Sequence, residues 1–335
     1  MVKYAEILSS NKAFFSEKSS QNLTAVFVGA TNGIGLGALR AFARHTSGTP
    51  ATIYVVGRTE KQLSSLKETI TSINTSATFI PVLATDLTTL EDAKLAADEI
   101  ARHVSRQQDA KVDLLIMSPG YVGLNREDNG SGVDRVQSIR FYSRMVFLNT
   151  LAPYLRKSSH ARVVSVLAGG LEGNLFLDDM ALEKNFSLPK AADHGASEVS
   201  LYLEEFAKRP ENQSISLVHE FPGLTGGTGL SIKGLPGWAQ FLFDHVATFI
   251  FKIIGYSVDE AGERALYAAT TPKFSRDLEQ AEKGSDGVVG SGAYIVHSDS
   301  SAIPSNKVLD SLRGEGAGQK VWEWTSQVLS KVNSS

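Results

Sequence analysis

"TAVFVGATNGIGLG" (residues 24–37) runs from an apolar, β-branched stretch into a glycine-rich loop without a break. Strand character ends at Gly29, glycines recur at 33 and 35, and an apolar pattern of helical period opens at once and continues to residue 45. Glycine at these places permits a tight turn and lets backbone amides come close to a pyrophosphate. The helix that follows offers unpaired amides and the positive end of its dipole. Glycine turns also join strands to helices with no ligand involved. Here the loop follows a strand, opens a helix and lies near the start of the chain, which favours dinucleotide binding.

Outward from that loop, the same alternation repeats. Apolar runs at 51–57, 77–84, 112–118, 161–168, 214–221 and 293–297 read as strands, and 60–74, 88–108, 133–157 and 190–208 read as helices. Nearly continuous apolar strands separated by helices predict a doubly wound parallel sheet covered on both faces. No repeat, low-complexity segment or linker divides the chain. The expectation is one α/β domain over 1–335, with its core at 24–297, a Gly-containing aromatic insertion at 223–257 and a helical tail at 305–333.

Composition narrows the function. The 335 residues are 42% hydrophobic and 21% charged, with a net charge of −3, so nothing in the charge balance calls for nucleic acid. There are no cysteines, which excludes disulfides, thiolate catalysis and thiolate metal sites and fits a cytoplasmic protein. The start of the chain lacks the apolar run of a signal peptide. The most apolar stretch, 238–256, is as long as a membrane span, but Asp244, His245 and Lys252 interrupt it. A buried or lid-like helix is expected there.

Together "GATNGIG", "VVGRT", "ATDLT", "VDLLIMSPG", "ARVVSVLAGG" and "EFPGLTGGT" resemble, in order and spacing, the short-chain dehydrogenase/reductase family over residues 24 to about 297. The resemblance implies a Rossmann fold and a nicotinamide coenzyme held by Gly29, Thr31, Asn32, Gly33, Ile34 and Gly35. It also implies contacts from Asp86 and Leu87 after the third strand, Ser118 and Gly120 after the fourth, and Pro222 and Gly223 over the nicotinamide. An acidic residue closing the second strand would bind a ribose 2′-hydroxyl. This chain has Arg58 instead, which favours NADP(H) over NAD(H), since a guanidinium can pair with a 2′-phosphate. Stacking on adenine or facing solvent is the plain alternative for Arg58, and helix N-capping is the plain alternative for Asp86.

The family's chemistry implies a tyrosine, a lysine four residues later, a serine and an asparagine. Carried across, the tyrosine falls on Phe186, the lysine on Lys190, the serine on Ala168 and the asparagine near Arg140. Only the lysine survives, and none of the nine tyrosines is followed by lysine at the fourth position. On a helix, residues 186 and 190 would stack one turn apart. Lys190 is expected to reach the coenzyme ribose; as a bare feature it is an exposed helix lysine beside a buried phenylalanine. Substitute proton donors are Tyr121, Tyr142 and His194, each of which could equally be a packing residue. Arg140 could bind an enolate, carboxylate or phenolate, or share a solvated helix face with Arg135 and Arg144.

Leu230, Ile232, Leu235, Trp238, Phe241, Leu242, Phe243, Phe249, Ile250 and Phe251 crowd the insertion. They imply a hydrophobic small-molecule substrate, a partner surface or ordinary core. Glycines at 223, 226, 227 and 229 would let the segment move. "RVVSVLAGG" and "HEFPGL" are similar to filamentous-fungal members of the family in specialised metabolism. Three functions follow: an NADP(H)-dependent oxidoreductase with a non-standard proton donor, a non-redox isomerase or cyclase, or a ligand-binding pseudoenzyme. Assembly into a homo-oligomer is left open.

Overall fold

The computed structural model describes residues 1–229, 232–243, 251 and 253–333. Seven parallel strands form one sheet: β1 (Leu23–Val28), β2 (Ala51–Gly57), β3 (Ala77–Leu83), β4 (Leu114–Met117), β6 (Arg162–Val166), β7 (Ser216–Glu220) and β9 (Ala293–Val296). A separate parallel pair joins β5 (Val122–Gly123) to β8 (Ile232–Lys233). The strand order is β3-β2-β1-β4-β6-β7-β9. The chain therefore winds one way from β1 and the other way from β4. That reversal opens a crevice at the carboxyl ends of β1 and β4.

Every residue of β1 is buried, and its side chains divide by parity. Val26 and Val28 join one core; Ala25 and Phe27 join the other. A strand buried on both faces has no polar face to alternate with, which is why these strands read as unbroken apolar runs. Helices start where a capping side chain follows a strand. Asn32 opens α2 (Gly33–His45), Thr59 opens α3 (Glu60–Ile73), and Thr89 opens α4 (Leu90–Ser105). α2 packs on the Val258–Thr270 helix through facing glycines, and a Cβ on Gly37 would lie 2.1 Å from the Val258 carbonyl oxygen.

Three consecutive helical segments follow β4. Asp134 caps α5 (Arg135–Gln137), a π turn covers Ser138–Tyr142, and α6 (Ser143–Leu155) continues from it. α7 (Leu188–Lys208) begins at the Ser187 cap with Pro189 in its first turn. An N-terminal helix absent from the sequence expectations, α1 (Tyr4–Glu17), is pinned to the body by Asn11, whose Nδ2 donates to the Glu263 carboxylate at 2.8 Å. The chain ends in helices Lys307–Gly314 and Ala317–Asn333.

In the insertion, a short helix at Gly237–Leu242 leaves Trp238 and Phe241 exposed. Leu230, Phe249 and Ile250, like Asp244, His245 and Lys252, lie outside the described residues. Among the described residues, no helix is long and apolar enough to cross a membrane.

Candidate functional site

The crevice at the topological switch point has a volume of about 300 Å³. Its floor and walls come from the loop after β1 (Asn32, Gly33, Ile34), the turn after β4 (Ser118, Pro119, Gly120, Tyr121) and the helical run after it (Arg140, Arg144). Val166 and Leu167 at the end of β6 and the segment after β7, including Phe221, Pro222, Gly223 and Thr225, complete it. A larger, polar cavity of about 690 Å³ lies elsewhere, bordered by α1, His160 and Arg162, away from the glycine loop.

The glycine loop is built for close approach. Gly29 sits at φ 79°, and a Cβ there would lie 2.6 Å from the Pro119 nitrogen. A Cβ on Gly35 would lie 2.3 Å from Ser118 Oγ and 2.8 Å from the Gly29 carbonyl. Ser118 Oγ in turn donates to that carbonyl at 3.2 Å. The Thr31 methyl rests against Gly57 at the end of β2, tying the loop to the next strand. Asn32 Oδ1 accepts from Gly33 N at 2.8 Å. The amides of Ile34 and Gly35 then remain without an intrahelical acceptor, at the positive end of the helix dipole.

These residues fit a dinucleotide. The open amides suit a pyrophosphate. Thr225 Oγ1, buried in the crevice wall without a hydrogen-bond partner among the described residues, suits a carboxamide. Arg58 is exposed just past β2. Asp86 is not the cap of α4, since Thr89 is. Its carboxylate accepts from Thr88 Oγ1 at 2.6 Å and from Arg135 Nη1 at 2.8 Å. Burial alone would raise the Asp86 carboxyl, but these bonds hold it below the usual carboxylate range. Leu87 is buried, and its carbonyl accepts from Ser143 Oγ at 2.5 Å.

The positions carried over for catalysis do not gather as expected. Phe186 precedes the Ser187 cap, so it is not on a helix and cannot stack on Lys190 across a turn. Lys190 is exposed, and its ammonium lies over the Phe176 ring, 5.4 Å from the centroid. Neither residue lines the crevice, and neither does Ala168, whose amide donates to His219 Nε2 at 3.1 Å. Proline at 189 and the serine cap set the helix start at Leu188, two residues past Phe186 and too late for the expected stack. Arg140 alone of the four lines the crevice.

Another pair with four-residue spacing sits deeper in α7. His194 and Glu198 are both fully buried, with His194 Nε2 3.3 Å from Glu198 Oε1. Glu198 also accepts from Tyr142 Oη at 3.1 Å and Gln137 Nε2 at 3.0 Å, while Trp324 Nε1 donates to Tyr142 Oη at 2.7 Å. Burial, and then the Glu198 charge, push the Tyr142 phenol well up. Tyr142 and His194 therefore belong to an interior network outside the crevice lining. Of the three substitute donors, only Tyr121 lines it. Burial raises the Tyr121 phenol to about 12, helped by Asp134 and Glu127, and the Lys233 ammonium lies 4.3 Å from its ring centroid.

Arg135, Arg140 and Arg144 do not share a solvated face. Arg135 pairs with Asp86, whereas Arg144 is only 1% exposed. Arg144 Nη1 donates to Ser165 Oγ at 2.7 Å and Val166 O at 2.9 Å, and Nη2 donates to Pro119 O at 2.7 Å, binding the ends of β4 and β6 together. Burial, with Arg140 nearby, lowers Arg144 to about 9. Its signal in the sequence was an arginine inside the apolar run "FYSRMVFL".

The comparisons agree with this geometry. Residues 23–173 match the short chain dehydrogenase family. An oxidoreductase of Emericella nidulans is 30% identical over 344 residues, spanning 99% of each chain. An NmrA-like family domain-containing oxidoreductase of an Aspergillus species is 32% identical over 92% of this chain and 90% of its own. A crystal structure of NADPH-bound carbonyl reductase from chicken fatty liver shares the fold, with a TM-score of 0.54 at 14% identity, covering 87% of this chain and 97% of that one. A glycine loop at the switch point of a seven-stranded parallel sheet, together with these near-full-length relatives, places the chain in the short-chain dehydrogenase/reductase family.

Proposed function

We propose that the protein is an NADP(H)-dependent oxidoreductase for a hydrophobic carbonyl or alcohol, an intermediate of fungal specialised metabolism, with Tyr121 as its proton donor. The observation that carries this reading is the composition of the crevice. An intact glycine cradle shares it with apolar walls and a single phenol, Tyr121. Arg58 at the end of β2 supports a 2′-phosphate, because a guanidinium there pairs with that group. When bound, the coenzyme supplies or accepts hydride. The protein's part is to exclude water, align the carbon that changes oxidation state and manage the proton on its oxygen.

Tyr121 is protonated at neutral pH with a phenol raised to about 12. It is still a stronger acid than an aliphatic alcohol, so it can protonate an alkoxide, though less readily than a phenol acidified by a nearby ammonium. The reading therefore expects slow turnover. Tyr121→Phe should lower turnover by roughly 10²–10⁴-fold while coenzyme binding by calorimetry is unchanged. Absence of heat from both NADPH and NADH would defeat the proposal at its root.

One observation favours a second reading, isomerisation or cyclisation without redox change: two guanidiniums, Arg140 and Arg144, line the crevice. Cations there could hold an enolate through such a reaction. A product of the same mass as its substrate, formed with no loss of NADPH absorbance, would select it.

A further inference from the structure

The crevice lining is positive, and the carboxylate that acts on Arg140, Asp134, lies outside that lining and is engaged by the Glu127, Val136 and Gln137 amides. Among the described residues lining it there is no Asp or Glu, but there are two arginines. All the hydrogen bonds of Arg144 go to neutral acceptors, namely the carbonyls of Met117, Pro119 and Val166 and the hydroxyl of Ser165, and its buried Nε has no partner. Arg140, brought alongside by the π turn at Ser138–Tyr142, is half-buried and has no hydrogen bond or ion pair among the described residues. A guanidinium partly withdrawn from water with no hydrogen-bonded carboxylate among the described residues is costly, and a bound anion relieves that cost.

The coenzyme's own charges would be met elsewhere. Its pyrophosphate would be held by the start of α2, and a 2′-phosphate by Arg58, past β2, two strands away from β4. Among the large apolar or aromatic residues that line the crevice with Arg140 are Tyr121, Leu167, Phe221 and Leu224. We infer that Arg140 recognises a delocalised oxyanion on an otherwise apolar substrate, either a carboxylate or the conjugate base of a vinylogous acid such as a 1,3-dicarbonyl enol. Both present paired or conjugated oxygens to the planar donor fork of arginine. Arg144 is a positioning residue: it fixes the strand ends and adds its charge from behind. This deepens the proposed function by naming the substrate class, and it rests on the same crevice being the substrate site.

The test uses the full chain and measures binding of 2-naphthoate, its methyl ester and 2-acetyldimedone by calorimetry, with NADPH measured separately. The wild type is expected to bind both acids and to bind the ester at least tenfold more weakly. Arg140→Gln is expected to weaken the two acids by about 10- to 100-fold while leaving the ester and NADPH unchanged. Arg140→Lys should recover part of that loss. Loss confined to naphthoate would assign a carboxylate, and loss confined to acetyldimedone would assign an enolate. Equal binding of acid and ester, no binding of either acid, or acid binding untouched in Arg140→Gln would overturn the inference. Parallel loss of NADPH would also overturn it, by assigning Arg140 to the coenzyme. Failure of NADPH to bind the wild type, with the acids still discriminated, would sink the coenzyme reading and leave this one standing.

Discussion

Arg144 shows how much a single residue can decide in this site. Its guanidinium is one planar donor that reaches two strand ends. Removing it would leave the Pro119 and Val166 carbonyls buried and unpaired beside a cavity. Arg144→Met should therefore destabilise the fold by about 2–4 kcal/mol in denaturant unfolding. A loss under 0.5 kcal/mol would mean that water replaces the guanidinium without cost. Position 186 makes the opposite case. Because Phe186 stands ahead of the α7 cap and outside the crevice lining, Phe186→Tyr should leave turnover within about twofold of wild type. A large gain in carbonyl reduction would show that residue 186 reaches the substrate after all.

At the level of elements, the glycine loop was readable because its constraint is local. Within the loop itself a Cβ on Gly35 would lie 2.8 Å from the Gly29 carbonyl oxygen and 3.0 Å from Ala30 Cα, which leaves no room for one. Gly35→Ala should abolish NADPH binding in calorimetry while the fold persists by circular dichroism; retained affinity would show that the cradle does not hold the pyrophosphate. The inner strands were likewise legible, because burial on both faces writes a continuous apolar run, and the edge strand β3, partly exposed, was still marked by its apolar residues. What escaped was set by longer-range or finer terms. Four-residue spacing fits both Phe186–Lys190 and His194–Glu198, and only the Ser187 cap and Pro189 decide where the helix starts. The π turn at Ser138–Tyr142 shifts side chains by a fraction of a turn, which no periodicity over five residues reveals. α1 was missed because the polar Asn11 bond to Glu263, 252 residues away in sequence, anchors it alongside a modest apolar face.

Across the whole molecule, two buried titratable groups on β7 set how stability depends on pH. His219 accepts from the Ala168 amide, meets Ser200 Oγ at 2.8 Å, and is lowered by burial and by Arg144 to about 3. Glu220, the next residue, has one carboxylate oxygen without a partner and is raised by burial to about 8, against a lowering influence from Arg264. Between pH 3 and 6.5 the unfolded chain binds more protons at His219, so that residue makes stability rise with pH. Between pH 4.5 and 8 the folded chain binds more protons at Glu220, so that residue makes stability fall as pH rises. From 4.5 to 6.5 the two oppose each other, and above 6.5 Glu220 is the one of the two that still acts. Taken over that last window, the linkage amounts to about 2 kcal/mol lost by pH 8. Glu220→Gln cannot ionise, so its unfolding free energy should stay level between about pH 6.5 and pH 8.5 while that of the wild type declines. Urea unfolding at the two pH values measures the difference directly, and any fixed cost of burying the amide cancels. If wild type and variant fall in parallel, Glu220 is already ionised at neutral pH and its charge is answered by Arg264.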